Sequence, residues 1–442
     1  MVTRHWLLLL IAAILLSACE IQFPGIPTPT ALPTIDISWA YKPVPTWDFT
    51  STLQAADIQS PLPLDFFKPG RNRYPYDFGR TITLYIPVYN PNAPNPFTVD
   101  LRSYDLSSWD LRTYLDNSLK YAVFDDLTKW PPADKLPAGF DWQRTRELGM
   151  NPGLGVRSLH ARGITGRGVG IAVIDAELMP DHQEYASQLR WYEETQDLYQ
   201  WDWFAPIHGS AIASIAVGET VGVAPEADLY YIGTCLGITY DSETQDYSYL
   251  ARAISHILEI NQRLSGGHKI RVISTQFQGW KPSSKGYAEL KAALQEAKDA
   301  GLLVVSINLE ETYNVKINGL GRDSLSDPDD FSSYRPAVMW EKDFYDGTQP
   351  SNSLLVPIDS RTFASPTGIS EYTYSSIGGL SFGIPYIAGM YALAVQVDPT
   401  ITPEKFLALA MRTGRTIQVQ NNGQSLPLGP ILDPVALIEA IK

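Results

Sequence analysis

The chain has 442 residues, 44% of them hydrophobic and 19% charged, and 48 acidic against 34 basic side chains give a net charge of −14. That length supplies core for one large domain with a smaller region beside it, and the acidic balance argues against nucleic acid as a partner and against charge-driven binding to anionic lipid. Two cysteines exclude a disulfide scaffold.

Arg4 and His5 precede an apolar run from Trp6 to Leu16, which ends in Leu16-Ser17-Ala18-Cys19. The run is short for a membrane span, and its leucine, two small residues and cysteine read as a bacterial lipoprotein signal. Residues 1–18 are then a signal peptide and Cys19 the lipid attachment site, which puts the protein in the bacterial cell envelope, held to the membrane outside the cytoplasm. With Cys19 committed to lipid, Cys235 has no second cysteine to pair with. Residues 19–48, with Pro24, Pro27, Pro29, Pro33, Pro43 and Pro45, suit an extended tether. Residues 49–130 are aromatic and are expected to form a smaller α+β region without repeats, with a strand over Thr81–Val88 and a helix near Leu106–Leu119.

From residue 131 to 442 the pattern is that of an α/β domain with a mainly parallel sheet. Gly166-Arg167-Gly168-Val169-Gly170-Ile171-Ala172-Val173-Ile174-Asp175 is a glycine turn followed by an apolar run too short for a helix, so it reads as a buried parallel strand. Asp175 ends that strand, where open α/β sheets place functional groups; alone, it is also an ordinary loop aspartate. His208 leads Gly209-Ser210-Ala211-Ile212-Ala213, a small-residue segment able to pack closely as a helix. Trp201, Trp203 and Phe204 either line a cleft or belong to the core. Further strands are expected over Asp228–Ile232, Leu302–Ile307 and Leu354–Ile358. One helix should carry Leu250, Ile254, Ile257 and Leu264 on one face, and another Leu290, Ala293, Leu294 and Ala297, with Gly301 as C-cap. His256 and His268 read as solvated. Residues 309–350 look irregular, and their Asp323, Asp327, Asp329 and Asp330 lack the spacing of a calcium loop. Thr402-Pro403 and Asp433-Pro434 each start a short helix.

The most informative stretch is Gly379-Leu380-Ser381-Phe382-Gly383-Ile384-Pro385. Ile384, Ile387, Ala388, Tyr391 and Ala392 repeat at helical spacing, so a helix starts near Ser381, and its free amide hydrogens and dipole can stabilise an oxyanion beside the hydroxyl. Alone, Ser381 is equally an N-cap before a core helix. A serine needs an imidazole oriented by a carboxylate to become a nucleophile, and His208 and Asp175 are the best-placed partners.

In the order Asp, His, Ser and in all three local motifs, residues 155–415 resemble the subtilisin-like serine protease (subtilase) family. His182 matches a histidine that often follows the family aspartate, His208-Gly209-Ser210 resembles His-Gly-Thr, and Gly222-Val223-Ala224-Pro225 matches a segment leading into the next strand. The resemblance implies a three-layer α/β/α fold and a serine endopeptidase in which Asp175, His208 and Ser381 form an acyl-enzyme, with no metal and no cofactor. Family members often carry an amino-terminal propeptide, so residues 49–130 are a propeptide, a permanent extension or a separate binding module, and self-cleavage after a propeptide would release the enzyme from its anchor.

Three positions depart from the family pattern. Asp175-Ala176-Glu177 stands for Asp-Thr-Gly or Asp-Ser-Gly, Leu380 replaces a threonine, and Asn308-Leu309-Glu310-Glu311 replaces Ala-Gly-Asn. Asn308 is the candidate oxyanion donor, although an ungapped alignment puts Glu310 there. Val272–Gly279 resembles the strand that pairs with an extended peptide, which makes Gln276, Phe277, Gln278 and Gly279 the candidate substrate-binding residues. The departures keep a second class open, an inactive or weak subtilase fold that binds a peptide or protein.

Overall fold

The computed structural model describes residues 66–67, 85–91, 99–195, 207–236, 245–277, 279–347 and 353–442. In chain order its strands are β1 (Phe66–Phe67), β2 (Val99–Asp100), β3 (Ala122–Asp125), β4 (Gly170–Asp175), β5 (Leu189–Thr195), β6 (Asp228–Gly233), β7 (Ile270–Thr275), β8 (Leu303–Val305), β9 (Lys316–Arg322), β10 (Tyr334–Pro336), β11 (Ser353–Pro357), β12 (Arg361–Ala364), β13 (Tyr372–Ser375), β14 (Arg415–Asn421) and β15 (Gln424–Ile431). They form three sheets, ordered β1-β5-β6-β4-β7-β8, β10-β9-β11-β15-β14 and β12-β13-β3-β2.

The first sheet is parallel except for β1, which runs antiparallel to β5. Every residue of β4 and β6 is buried, and burial on both faces explains why their sequences are unbroken apolar runs rather than alternating ones. Helices Ser248–Arg263 and Tyr287–Asp299 cover one face, burying Leu250, Ile254 and Ile257, and Leu290, Ala293, Leu294 and Ala297. Against the other face lie helices Ile207–Val217 and Leu380–Val397. This is the α/β layering expected. The Leu380–Val397 helix also touches β9 and β11, so it is covered by a second sheet as well. Pro385 lies inside this helix and has no N–H to offer the Ser381 carbonyl.

The expected helix near Leu106–Leu119 does not form; those residues are turns. Leu101, Leu106 and Leu111 recur every five residues and are each 0% exposed. Their N–H groups donate to the carbonyls of Val123, Lys129 and Lys135, each at 2.8 Å, while Tyr104, Trp109 and Tyr114 N–H donate back to the three leucine carbonyls. The preceding Asp100, Asp105 and Asp110 accept from the N–H two residues on, at 3.0, 3.2 and 3.2 Å. These aspartate turns satisfy the backbone locally in place of a helix, and they constitute a repeat where none was expected. Of the strand expected over Thr81–Val88, residues 81–84 lie outside the described residues, and residues 85–88 belong to no strand.

The division expected at residue 130 does not coincide with a break in the structure. Residues Asp48–Lys442 cluster as one compact unit, and β3 pairs antiparallel with β13, Phe124 opposite Tyr374. Residues 309–350 also hold more order than expected. They contain β9 and β10, and β9 escaped notice because Gly319 and Gly321 interrupt its apolar pattern. Neither glycine has room for a side chain without its neighbours shifting: a Cβ on Gly319 would stand 2.0 Å from Ile358 Cδ1, and one on Gly321 2.7 Å from Asp359 Oδ2. The two terminal helices start as expected, with Thr402 Oγ1 accepting from Lys405 N–H and Asp433 Oδ1 from Ala436 N–H. The signal peptide, Cys19 and the tether lie outside the described residues.

Phe124 is 2% exposed and packs against the rings of Trp130 and Tyr374. Phe124→Ala should therefore lower unfolding free energy by about 3–5 kcal/mol, read from denaturant unfolding followed by tryptophan fluorescence. A loss near zero would mean that the β3 segment does not share the core.

Candidate active site

Asp175 is the last residue of β4, and its register partner on β6 is Gly233. Its side chain is 3% exposed, and Oδ1 accepts from the N–H of Ala176 at 2.6 Å. His208 is the second residue of the helix Ile207–Val217. Its Nδ1 lies 2.8 Å from Oδ1 and 2.7 Å from Oδ2 of Asp175. With Nδ1–H donated to the carboxylate, Nε2 keeps its lone pair and can act as a base. The imidazole remains 42% exposed. Burial opposes its charged form, but the charge of Asp175 and the hydrogen bond to it outweigh that cost and raise the His208 pKa above the usual histidine value.

Gly209 makes this contact sterically possible. A Cβ there would stand 2.2 Å from the carbonyl oxygen of Glu177 and 2.4 Å from the Tyr231 hydroxyl, and that hydroxyl donates to the Ala176 carbonyl at 2.7 Å. The first turn of the helix thus presses directly on the turn leaving Asp175. Further along, a Cβ on Gly389 of the Leu380–Val397 helix would stand 3.3 Å from the Ala216 carbonyl of the His208 helix and 2.6 Å from Val223 in the loop after it, so a small residue lets the two helices pack closely.

Ser381 is half-buried at the start of the helix Leu380–Val397, whose N-cap is Gly379. The two helices carrying His208 and Ser381 pack against each other. Asp175 and His208 are joined by a hydrogen bond, and none joins Ser381 to His208. Catalytic hydrogen bonds are often long before substrate binds.

Asn308 follows β8 and is the N-cap of the short helix Leu309–Tyr313. Its amide donates to Glu311 Oε1 at 3.1 Å, and Glu311 Oε2 accepts from Trp280 Nε1 at 3.3 Å. One amide hydrogen of Asn308 is thus already engaged. Glu310 is exposed and paired with Lys316 at 3.2 Å.

Of the candidate substrate-binding residues, Gln276 turns inward. It is 8% exposed, donates to Ser274 Oγ at 3.1 Å and has its Oε1 buried without a partner. Phe277 is half-buried against the core, and Gly279 takes a left-handed φ of +78°, with the Tyr247 hydroxyl 4.0 Å from where a Cβ would lie. Gln278, Trp201, Trp203 and Phe204 lie outside the described residues. The ladder of β7 is occupied on both sides, by β4 and β8, so only the backbone after Thr275 is available to an added strand.

Two other histidines differ in role from the third. His182 is fully buried; its Nε2 donates to the Glu371 carbonyl at 2.8 Å and its Nδ1 accepts from Glu184 N–H. Burial lowers its pKa, so it is a neutral structural residue. His256, expected to be solvated, is 2% exposed, with Glu193 at 2.8 Å on one ring nitrogen and Glu259 at 3.3 Å on the other. Its charged neighbours are ion-pair partners rather than signs of exposure. His268 stays 44% exposed beside Asp228.

Residues 166–308 match the model of the Subtilase family, peptidase S8. That segment holds Asp175, His208 and Asn308, and it stops short of Ser381. A stretch of 87 residues is 36% identical to Subtilisin-like protease PopC of Myxococcus xanthus (strain DK1622), and it spans 17% of this chain and 18% of that protein. The solved structure of Prenylagaramide maturation protease PagA aligns with a TM-score of 0.43 at 16% identity, over 65% of this chain and 98% of that one. The family match and the likeness to PopC both cover only part of the chain, and the chain spans less than a fifth of that relative's length.

Asp175→Asn should lower the His208 pKa, because the burial cost then stands unopposed; a histidine-selective NMR titration would read it. Because the folded value is raised, the pair's contribution to stability is complete below about pH 6.5, the unfolded value. It is lost as pH rises through the folded value. Gly209→Ala should lower the same pKa by pushing His208 off Asp175, and an unchanged titration in that variant would show that the close approach is dispensable.

Proposed function

We propose that this chain is a serine endopeptidase that hydrolyses peptide bonds through Asp175, His208 and Ser381. The observation that carries this reading is the hydrogen-bonded Asp175–His208 pair at the carboxyl end of a parallel strand, with Ser381 at the start of the helix packed beside the histidine's own. In this mechanism Ser381 Oγ attacks the substrate carbonyl while His208 Nε2 takes its proton. Asp175 keeps the imidazole in the Nδ1–H tautomer and stabilises the cation that forms. The proton then passes to the leaving amine, and water, activated by the same nitrogen, hydrolyses the acyl-enzyme. The Ser381 N–H, in the first turn of its helix, supplies one oxyanion donor. The remaining amide hydrogen of Asn308 is the candidate for a second.

A second reading, a weak or inactive subtilase fold that binds a peptide or protein, draws on two observations. Ser381 has no hydrogen bond to His208, and Asn308 is engaged by Glu311. Losing one oxyanion donor slows such enzymes by about 10²- to 10³-fold without abolishing the chemistry, so the second observation alone does not favour it over the first reading.

The sequence around Leu16–Cys19 supports an anchor. We propose a lipoprotein of the bacterial cell envelope held outside the cytoplasm by lipid on Cys19, acting on a peptide or protein substrate and not on nucleic acid, and released where it processes itself.

The full chain and its Ser381→Ala and His208→Ala variants, treated with a fluorophosphonate probe, test the enzyme reading. Wild type should label covalently, Ser381→Ala not at all, and His208→Ala at least about 10³-fold more slowly. Folded wild type that stays unlabelled would turn the assignment to the binding role.

A further inference from the structure

The chain reaches Ser381 from β13 through Ser376–Gly379, and that stretch is fastened to the turn between β11 and β12. Ser360 N–H donates to the Ser376 carbonyl at 3.1 Å. Gly378 N–H donates to Asp359 Oδ1 at 2.8 Å, and Asp359 Oδ2 accepts from Val338 N–H at 2.9 Å. Gly378 lies so close to this turn that a Cβ would stand 2.1 Å from the Ile358 carbonyl oxygen. Asp359 is 3% exposed, and among the described residues no cation pairs with it. A carboxylate buried in this way is costly. One residue meeting two separate backbone N–H groups with two oxygens is something a carboxylate does and an amide does not.

We propose that Asp359 is a positioning residue for the Ser381 hydroxyl, its two oxygens fixing the turn that enters the nucleophile's helix. The proposal rests on Ser381 being the nucleophile. Asp359 touches no reacting atom; it acts through Gly378, three residues before the serine. Only its ionised form offers both oxygens fully to the two N–H donors. Burial pushes its pKa up to about 7, against the two backbone hydrogen bonds and Arg335, which lower it, while Glu341 adds to the rise. Arg335 stands on β10 and Glu341 on the helix Glu341–Tyr345; Tyr374 on β13 and Tyr89 also sense its charge. The clamp therefore forms as pH rises through neutrality, over the range in which His208 must also lose its proton to act as a base.

The test uses the full chain as wild type, Asp359→Asn and Ser381→Ala, with the fluorophosphonate probe. The maximal labelling rate and the half-saturating probe concentration are measured from about pH 5 to 9, with thermal melts recorded alongside. Asp359→Asn should melt as a folded protein, keep half-saturation within about threefold and lose about 10- to 100-fold in maximal rate, the scale of a misplaced reacting group. On the acid side, log rate should rise with pH at a slope near two in wild type, from two required ionisations, and near one in Asp359→Asn. Folded Asp359→Asn that labels at the wild-type rate with the wild-type slope overturns the clamp. Where Asp359→Asn fails to fold, Asp359→Glu, whose oxygens lie one methylene further out, takes its place, and its labelling at the wild-type rate overturns the clamp. Wild type unlabelled at every pH removes Ser381 as nucleophile and the clamp with it, whereas labelling of wild type but not Ser381→Ala leaves the outcome to the slopes.

Discussion

A helix that is apolar on every side has to be covered on every side, and in this protein that constraint falls on Leu380–Val397. Phe382 to Val395 are all buried. The helix is long and apolar enough to cross a membrane, yet it lies inside the protein, with β4, β7 and β8 on one side, β9 and β11 on another, and the helices Ile207–Val217, Pro403–Thr413 and Pro434–Ile441 around it. Burial stops at its amino end, at Leu380 and Ser381. The candidate nucleophile thus stands where a rigid, fully supported element meets open space, and the unpaired N–H groups of the first turn are held there without further ordering.

Around that helix, irregular loops are fixed by buried charged side chains. Glu184, 1% exposed, accepts from Thr220 N–H and Oγ1, from Val221 N–H and from the Tyr372 hydroxyl, and so ties the loop after the His208 helix to β13. The guanidinium of Arg322 donates to the carbonyls of Leu148, Asp323, Ser324, Ser326 and Ser360. Arg361, 1% exposed, reaches the carbonyls of Pro152 and Val221. Breaking such a set by removing one partner leaves buried groups unsatisfied, so each is expensive to lose and specifies one loop arrangement. Asp359 belongs to this class of residue, set apart by standing at the entrance to the Ser381 helix.

Sequence was sufficient wherever a feature is local. The strand ending in Asp175 announces itself by an apolar run, the Ser381 helix by its spacing, and Thr402-Pro403 and Asp433-Pro434 by their capping chemistry. Asp175, His208 and Ser381 each sit in a motif of a few residues, and the Asp175–His208 contact followed from that reading. Features that depend on contacts between distant segments were not legible. Asp359 has no motif, since its partners Val338 and Gly378 are 21 and 19 residues away, and Gly319 and Gly321 disguise β9 because their reason lies in Ile358 and Asp359. The pairing of β3 with β13 spans about 250 residues and leaves no periodic trace. The five-residue spacing of Leu101, Leu106 and Leu111 was there to be read, but it matches neither the helical nor the strand period.

The pairing of β3 with β13 ties a segment far away in sequence to the candidate site. β13 runs directly into the turn before Ser381, and β3 is its partner on one side, with β12 on the other. Leu101, Leu106, Leu111, Ala122 and Phe124 bury their side chains in a core shared with Tyr374 of β13. A cut after residue 130 followed by loss of the segment would expose this core and leave β13 with an unpaired edge, three residues from the Gly378 N–H that Asp359 holds. The segment from Val99 onward thus braces the strand that leads into the candidate site.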